Sequence, residues 1–152
     1  MPVKAGDRRG GQGGSMAEPL PYAAVGGAAA IRALATSFYA RIDADPEFAE
    51  LRAIHDADLG PVSESLAGFL SAWLGGPRDW FTERPGRCIM RFHAGFAVSP
   101  RLAAQWAEAM LRTMAETPGF DTPLGRQLGE TLMRMAFAMV RRSEDAALAA
   151  SN

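Results

Sequence analysis

The chain has 152 residues with 16 Lys and Arg against 17 Asp and Glu, so no basic excess points to nucleic acid or an anionic membrane. With 48% apolar residues, including eight Met and eight Phe, it can bury one core lined by large, adaptable side chains. A single cysteine, Cys88, excludes an internal disulfide and a Cys-based zinc or iron–sulfur site within one chain.

Residues 1–19 are Gly-rich and charged and bury too little to offset their ordering entropy, which predicts a disordered leader. They lack the apolar core of a signal peptide, and no apolar run in the chain approaches the ~20 residues that span a bilayer. The cytoplasm, without membrane attachment, is therefore expected. A domain is predicted over 20–142.

Order is expected from Tyr22, with Gly26-Gly27 as a turn or helix-end signal. From Ala28 to about Asp43, Ile31, Leu34, Ala35, Phe38 and Ile42 recur at helical spacing, with Tyr39 beside the stripe. Asp45-Pro46 breaks that helix and Pro46 starts a short one reaching Ile54; His55 to Asp58 reads as a loop. The next helix begins near Pro61, carries Val62, Leu66, Phe69, Leu70 and Trp73 on one face, and stops at Gly75-Gly76-Pro77. An ordered loop follows, containing Trp80 and Phe81, then a short helix over Ile89 to His93.

Ser99 is a predicted N-cap with Pro100 in the first turn, and Leu102, Trp106, Met110 and Met114 follow at four-residue intervals. Thr117-Pro118-Gly119 ends that helix. The last begins near Thr122 with Leu124, Leu128, Leu132, Met135 and Met139 on one face, and its tail over 143–152 is expected to fray. No strand pattern and no internal repeat is present, so the fold class is all-α.

The sequence has no nucleophile elbow, no phosphate-binding loop and no helical His pair for zinc. Its most informative stretch is Arg87-Cys88-Ile89-Met90-Arg91-Phe92-His93-Ala94-Gly95-Phe96. A lone imidazole near apolar residues is more often a satisfied core or surface histidine than a ligand. Among apolar and cationic neighbours it also suits a planar, apolar, dianionic cofactor held by one axial bond, and haem is such a molecule. Tyr39 and Trp106 would add a phenol and an indole donor from two different helices. The face of Val62, Leu66 and Phe69 would lie between them, which is the form of an apolar ligand site with a few convergent polar groups.

Taken in order, several short motifs resemble the bacterial truncated haemoglobins of the second group, which carry a Trp in the distal pocket. They are Tyr22-Ala23-Ala24-Val25-Gly26-Gly27, Phe38-Tyr39, Trp73-Leu74-Gly75-Gly76-Pro77, His93-Ala94-Gly95-Phe96 sixteen residues after that proline, and Trp106. The resemblance covers about Tyr22 to Met139. It implies an all-α, globin-like, two-over-two helical fold holding one haem b, with His93 as the iron ligand. It implies a ligand-side wall of Tyr39, His55, Val62, Leu66, Phe69 and Trp106. The remaining cofactor contacts would be Trp73, Trp80, Phe81, Arg91, Phe92 and Phe96. Tyr39 and Trp106 would hold O2 or another diatomic gas.

The chain departs from the family at two places where relatives carry basic residues for the propionates: Phe92 and Ser65 stand there. Arg91, with Arg84 or Arg87, would substitute, helped by Trp73 and Trp80 as donors. His55 takes the family's ligand-side aromatic position if the preceding loop is about three residues longer. Three functions stay open. One is a gas-binding haem protein, monomer or homodimer; another is a peroxidase or NO-detoxifying enzyme on the same haem, needing a reductase; the third is a haem-free helical interaction module.

Overall fold

The computed structural model describes residues 19–79 and 98–151. All but residue 19 of the leader expected over 1–19, the Trp80–Phe81 loop and the Ile89–His93 helix lie outside the described residues.

Six α-helices are present among them: α1 (Pro21–Ala24), α2 (Gly27–Ala44), α3 (Ala49–Ala53), α4 (Gly60–Trp73), α5 (Pro100–Glu116) and α6 (Pro123–Ala150). A 3-10 turn, Pro46–Phe48, precedes α3, and no strand occurs among the described residues. The long helices form two pairs, α2 against α4 and α5 against α6, with α2 also packed on α5. That is the two-over-two arrangement. No described helix is long and apolar enough to cross a membrane.

Local chemistry explains the boundaries. Ser99 Oγ accepts from Leu102 N at 3.1 Å and Thr122 Oγ1 from Gly125 N at 3.0 Å, so both long C-terminal helices begin on a side-chain cap followed by proline. Asp45 Oδ1 accepts from Glu47 N at 3.0 Å and turns the chain from α2 into the 3-10 segment.

Two of the glycine motifs seen in the sequence meet in space. Tyr22 N donates to Leu74 O at 2.9 Å, and the Tyr22 ring lies so close to Gly76 that a Cβ there would stand 2.3 Å from it. The start of the domain is thereby sewn to the end of α4. Gly119, with φ +92°, packs where a Cβ would come within 1.9 Å of the Val25 carbonyl oxygen. This position demands glycine on both conformational and steric grounds.

The core follows the predicted stripes on α2 and α4, and Ile31, Leu34, Phe38, Ile42 and Leu70 are fully buried. Tyr39, expected beside the stripe, is itself in the core at 6% exposure. On α5 and α6 the seam differs from the expected one. Its buried centre is Ala103, Ala107, Met110 and Met114 on α5, and Gly125, Gly129, Leu132, Ala136 and Val140 on α6. Leu102, Trp106, Leu124, Leu128 and Met135 flank the core half-buried. Small residues occupy the line of closest approach because a Cβ on Gly129 would already stand 2.8 Å from Leu111 Cδ2.

α6 also continues to Ala150 where fraying from Ser143 was expected. Ser143 is docked rather than loose: its Oγ accepts from Val98 N at 3.1 Å and donates to Met139 O at 3.0 Å. The Ala-rich turns beyond it favour helix even though they are exposed.

Candidate functional site

The site forms where α2, α4 and α5 converge, and Phe38 is its centre. This ring is fully buried and meets the Tyr39 ring edge-on, with centroids 4.9 Å apart, and the Trp106 indole at 5.7 Å. Such edge-to-face pairs fix ring orientation as well as filling space. The two expected donors, from helices far apart in sequence, are therefore seated on one common side chain.

α4 supplies the apolar wall. Leu66 and Phe69 are buried, and Val62 and Trp73 pack half-buried against the same cluster. Phe69 and Trp73 stack nearly parallel, with centroids 6.4 Å apart and an interplanar angle of 10°.

His55 completes the described part. Its ring stands edge-on to Tyr39 at 5.6 Å, and Nδ1 lies 2.8 Å from Leu51 O. A carbonyl only accepts, so Nδ1 carries the proton. The contact with Tyr39 places His55 beside the ligand-side residues with which the sequence grouped it.

Tyr39 is the chemically unusual member. Burial pushes its phenol well above the ordinary value, so it is a neutral donor throughout the physiological range. Among the described residues none hydrogen-bonds its hydroxyl. A buried hydroxyl without a partner costs about 1–3 kcal/mol and is therefore normally satisfied by something.

Among the described residues, two surface grooves bear on the question. One of about 590 Å³ lies near Arg41 and Thr113, and one of about 750 Å³ runs between α2 and α4. Small and polar residues line both, and among the described site residues Tyr39 alone borders one of them. Neither has the apolar walls that a macrocycle needs.

Of the residues predicted from sequence, the structure thus brings together Tyr39, His55, Val62, Leu66, Phe69, Trp73 and Trp106. Trp80, Phe81, Arg84, Arg87, Arg91, Phe92, His93 and Phe96 lie outside the described residues. Two contributors were missed. Phe38 was read as core and as half of the Phe38-Tyr39 motif, not as the common seat of both rings, and Gln105, whose side chain accepts from Leu51 N at 3.1 Å, carries no pattern that sequence alone could reveal.

An all-α two-over-two fold with an aromatic cluster against an apolar helix face is the architecture of the truncated globins. The sequence model of the bacterial-like globin family matches residues 21–141, and the chain belongs to that family, with the features of a group II truncated haemoglobin. It is similar to the group II 2-on-2 haemoglobin of the plant pathogen Agrobacterium tumefaciens, at 32% identity and a TM-score of 0.75 over 82% of this chain and 96% of that one. The haemoglobin of the thermophilic phototroph Chloroflexus aurantiacus is 34% identical, with a TM-score of 0.70 over 80% of this chain and 98% of that one. A truncated oxygen-avid haemoglobin from Bacillus subtilis is 26% identical, with a TM-score of 0.71 over 80% and 99%.

Family membership makes this a haem-binding globin and sets aside the haem-free interaction module. The residues present fit that cofactor. The apolar face of α4 offers a wall for a flat ring, and the buried Tyr39 hydroxyl, without a hydrogen-bond partner among the described residues, lies on the same aromatic cluster as Trp106.

Proposed function

We propose that the chain holds one b-type haem through His93 and retains O2, or another diatomic gas, beneath Tyr39 and Trp106. The observation that carries this reading is the Tyr39 hydroxyl: buried, neutral, seated with Trp106 on Phe38, and without a described protein partner. The haem supplies the iron at which the gas binds. No Cys-x-x-Cys-His site is present in the sequence, which favours a haem held without covalent attachment.

What this chain's own residues contribute is polarity in a dry place. O2 gains negative charge when it binds, and a hydrogen bond to a charged group contributes ~1.5–3 kcal/mol, about ten- to a hundredfold in dissociation rate. The phenol and indole sit on helices, so little entropy is lost in aligning them when the ligand arrives. Leu66 and Phe69 exclude water that would compete for the same donors.

Slow O2 loss suits sensing, scavenging or redox use better than delivery. The B. subtilis relative is itself described as oxygen-avid. Stopped-flow measurement of O2 and CO dissociation from the wild type, Tyr39→Phe and Trp106→Phe tests the reading. Each substitution should speed O2 loss at least about tenfold and CO loss far less, because bound CO is less polar. Equal acceleration of both gases would show that the side chains act by filling space.

A further inference from the structure

We propose that Gln105 is a positioning residue for the ligand-side donors, acting through α3 and His55 on Tyr39. The inference rests on the reading of Tyr39 as a ligand donor and extends it to a residue that touches neither ligand nor cofactor.

The helix α3 has only five residues, too short to hold itself, and its N-cap residue Phe48 makes no side-chain cap. Leu51 is at its third position, so the Leu51 N–H is one of the groups a helix start leaves without an internal partner. Gln105 Oε1 reaches across from α5 and takes that N–H at 3.1 Å, at a half-buried position. The Leu51 carbonyl is met in turn by His55 Nδ1 at 2.8 Å, as the helix ends. One residue thus uses both of its backbone groups to join Gln105 to His55. The His55 ring then meets the Tyr39 ring edge-on at 5.6 Å and 73°.

The path closes on itself. Gln105 is the immediate neighbour of Trp106, which reaches Tyr39 by the other route through Phe38. α3 is therefore a strut between the helix that carries the indole and the ring that carries the phenol.

Two ion pairs also clip the same segment to α5, Glu50 with Arg101 at 3.0 Å and Glu47 with Arg112 at 2.9 Å. The Glu50–Arg101 pair is largely exposed and contributes little in water, whereas Arg112 grips Glu47 with two hydrogen bonds and holds the 3-10 turn rather than the Leu51 peptide. Buried Phe48 and Leu51 anchor the segment in the core, and the half-buried amide oxygen on an otherwise uncapped N–H adds the directional contact that orients the Leu51 peptide.

The test uses holoprotein in four forms beyond wild type: Gln105→Leu, Gln105→Glu, Tyr39→Phe, and Gln105→Leu combined with Tyr39→Phe. Amide hydrogen exchange at Leu51 reports the strut directly, without reference to gas binding. Gln105→Leu should raise Leu51 exchange, speed O2 dissociation about three- to tenfold and leave CO within about twofold, as expected when a donor is misaligned rather than removed. Gln105→Glu keeps an oxygen at the same reach and should restore both slow exchange and slow O2 loss. In the Tyr39→Phe background, Gln105→Leu should add nothing to O2 loss. Faster Leu51 exchange with unchanged O2 loss would overturn the inference while leaving Tyr39 as a donor. An undiminished Gln105→Leu effect in the Tyr39→Phe background would overturn it too. If Tyr39→Phe alone leaves O2 loss unchanged, the donor reading itself fails, and this inference falls with it.

Discussion

Tyr39→Phe should move two observables in opposite directions. The substitution keeps the ring and its edge-on contacts with Phe38 at 4.9 Å and His55 at 5.6 Å, and removes only an oxygen. That oxygen belongs to a residue 6% exposed, and no described residue hydrogen-bonds it. No described residue is therefore orphaned by the change. An unpaired buried hydroxyl costs about 1–3 kcal/mol, so the ligand-free protein should hold its stability or gain about 1 kcal/mol. The same oxygen, when it donates to bound O2, contributes ~1.5–3 kcal/mol, and its loss should speed O2 dissociation about ten- to a hundredfold. Denaturant unfolding of ligand-free protein reads the first effect and stopped-flow O2 displacement the second. A stability loss beyond about 1 kcal/mol together with an unchanged O2 off-rate would refute the reasoning, because it would mean that the hydroxyl is a structural hydrogen-bonder.

Trp106→Phe should also speed O2 loss, and the double variant with Tyr39→Phe should differ from the product of the single effects, since two donors sharing one ligand compensate for each other. Gly119→Ala should cost about 3 kcal/mol or more, read as a large fall in Tm by circular dichroism, because its Cβ would meet the Val25 carbonyl oxygen at 1.9 Å on a residue with φ +92°. Burial holds the Tyr39 phenol above the ordinary value of 10.0. The unfolded chain therefore ionises this group first: its contribution to stability is full below about pH 10 and is lost as pH rises past that value. In Tyr39→Phe this part of the alkaline decline should be absent, as pH-dependent unfolding curves would show.

The fold was legible where large apolar residues carry the helical period. Ile31, Leu34, Phe38 and Ile42 on α2 and Leu66, Phe69 and Leu70 on α4 are buried as their spacing predicts. It was less legible on α6, where the seam runs through Gly125, Gly129 and Ala136. Periodicity weighted by hydrophobicity centres on Leu124, Leu128 and Met135, yet close helix approach selects residues for their lack of bulk. The extent of α6 was also hard to read: alanines bury little but favour helix, and Ser143 is held by Val98 N, a contact 45 residues away in sequence.

For the site, Tyr39 and Trp106 were visible because a phenol and an indole stand out among aliphatic residues. That both rest on Phe38 was not, since Phe38 reads like any other core aromatic. Gln105 was invisible for a deeper reason. Its partner is a backbone N–H left over by a short helix on another segment, and no side-chain pattern marks such a group.

The central claim is that the chain is a haem protein whose iron is held by His93, and optical spectroscopy of the purified protein with its haem, alongside His93→Gly with and without imidazole, tests it most directly. The account predicts a Soret band in the wild type, its loss or severe weakening in His93→Gly, and its recovery when imidazole is added. A normal Soret band in His93→Gly without imidazole would contradict the assignment of the ligand, and failure of the wild-type chain to take up haem at all would contradict the claim itself.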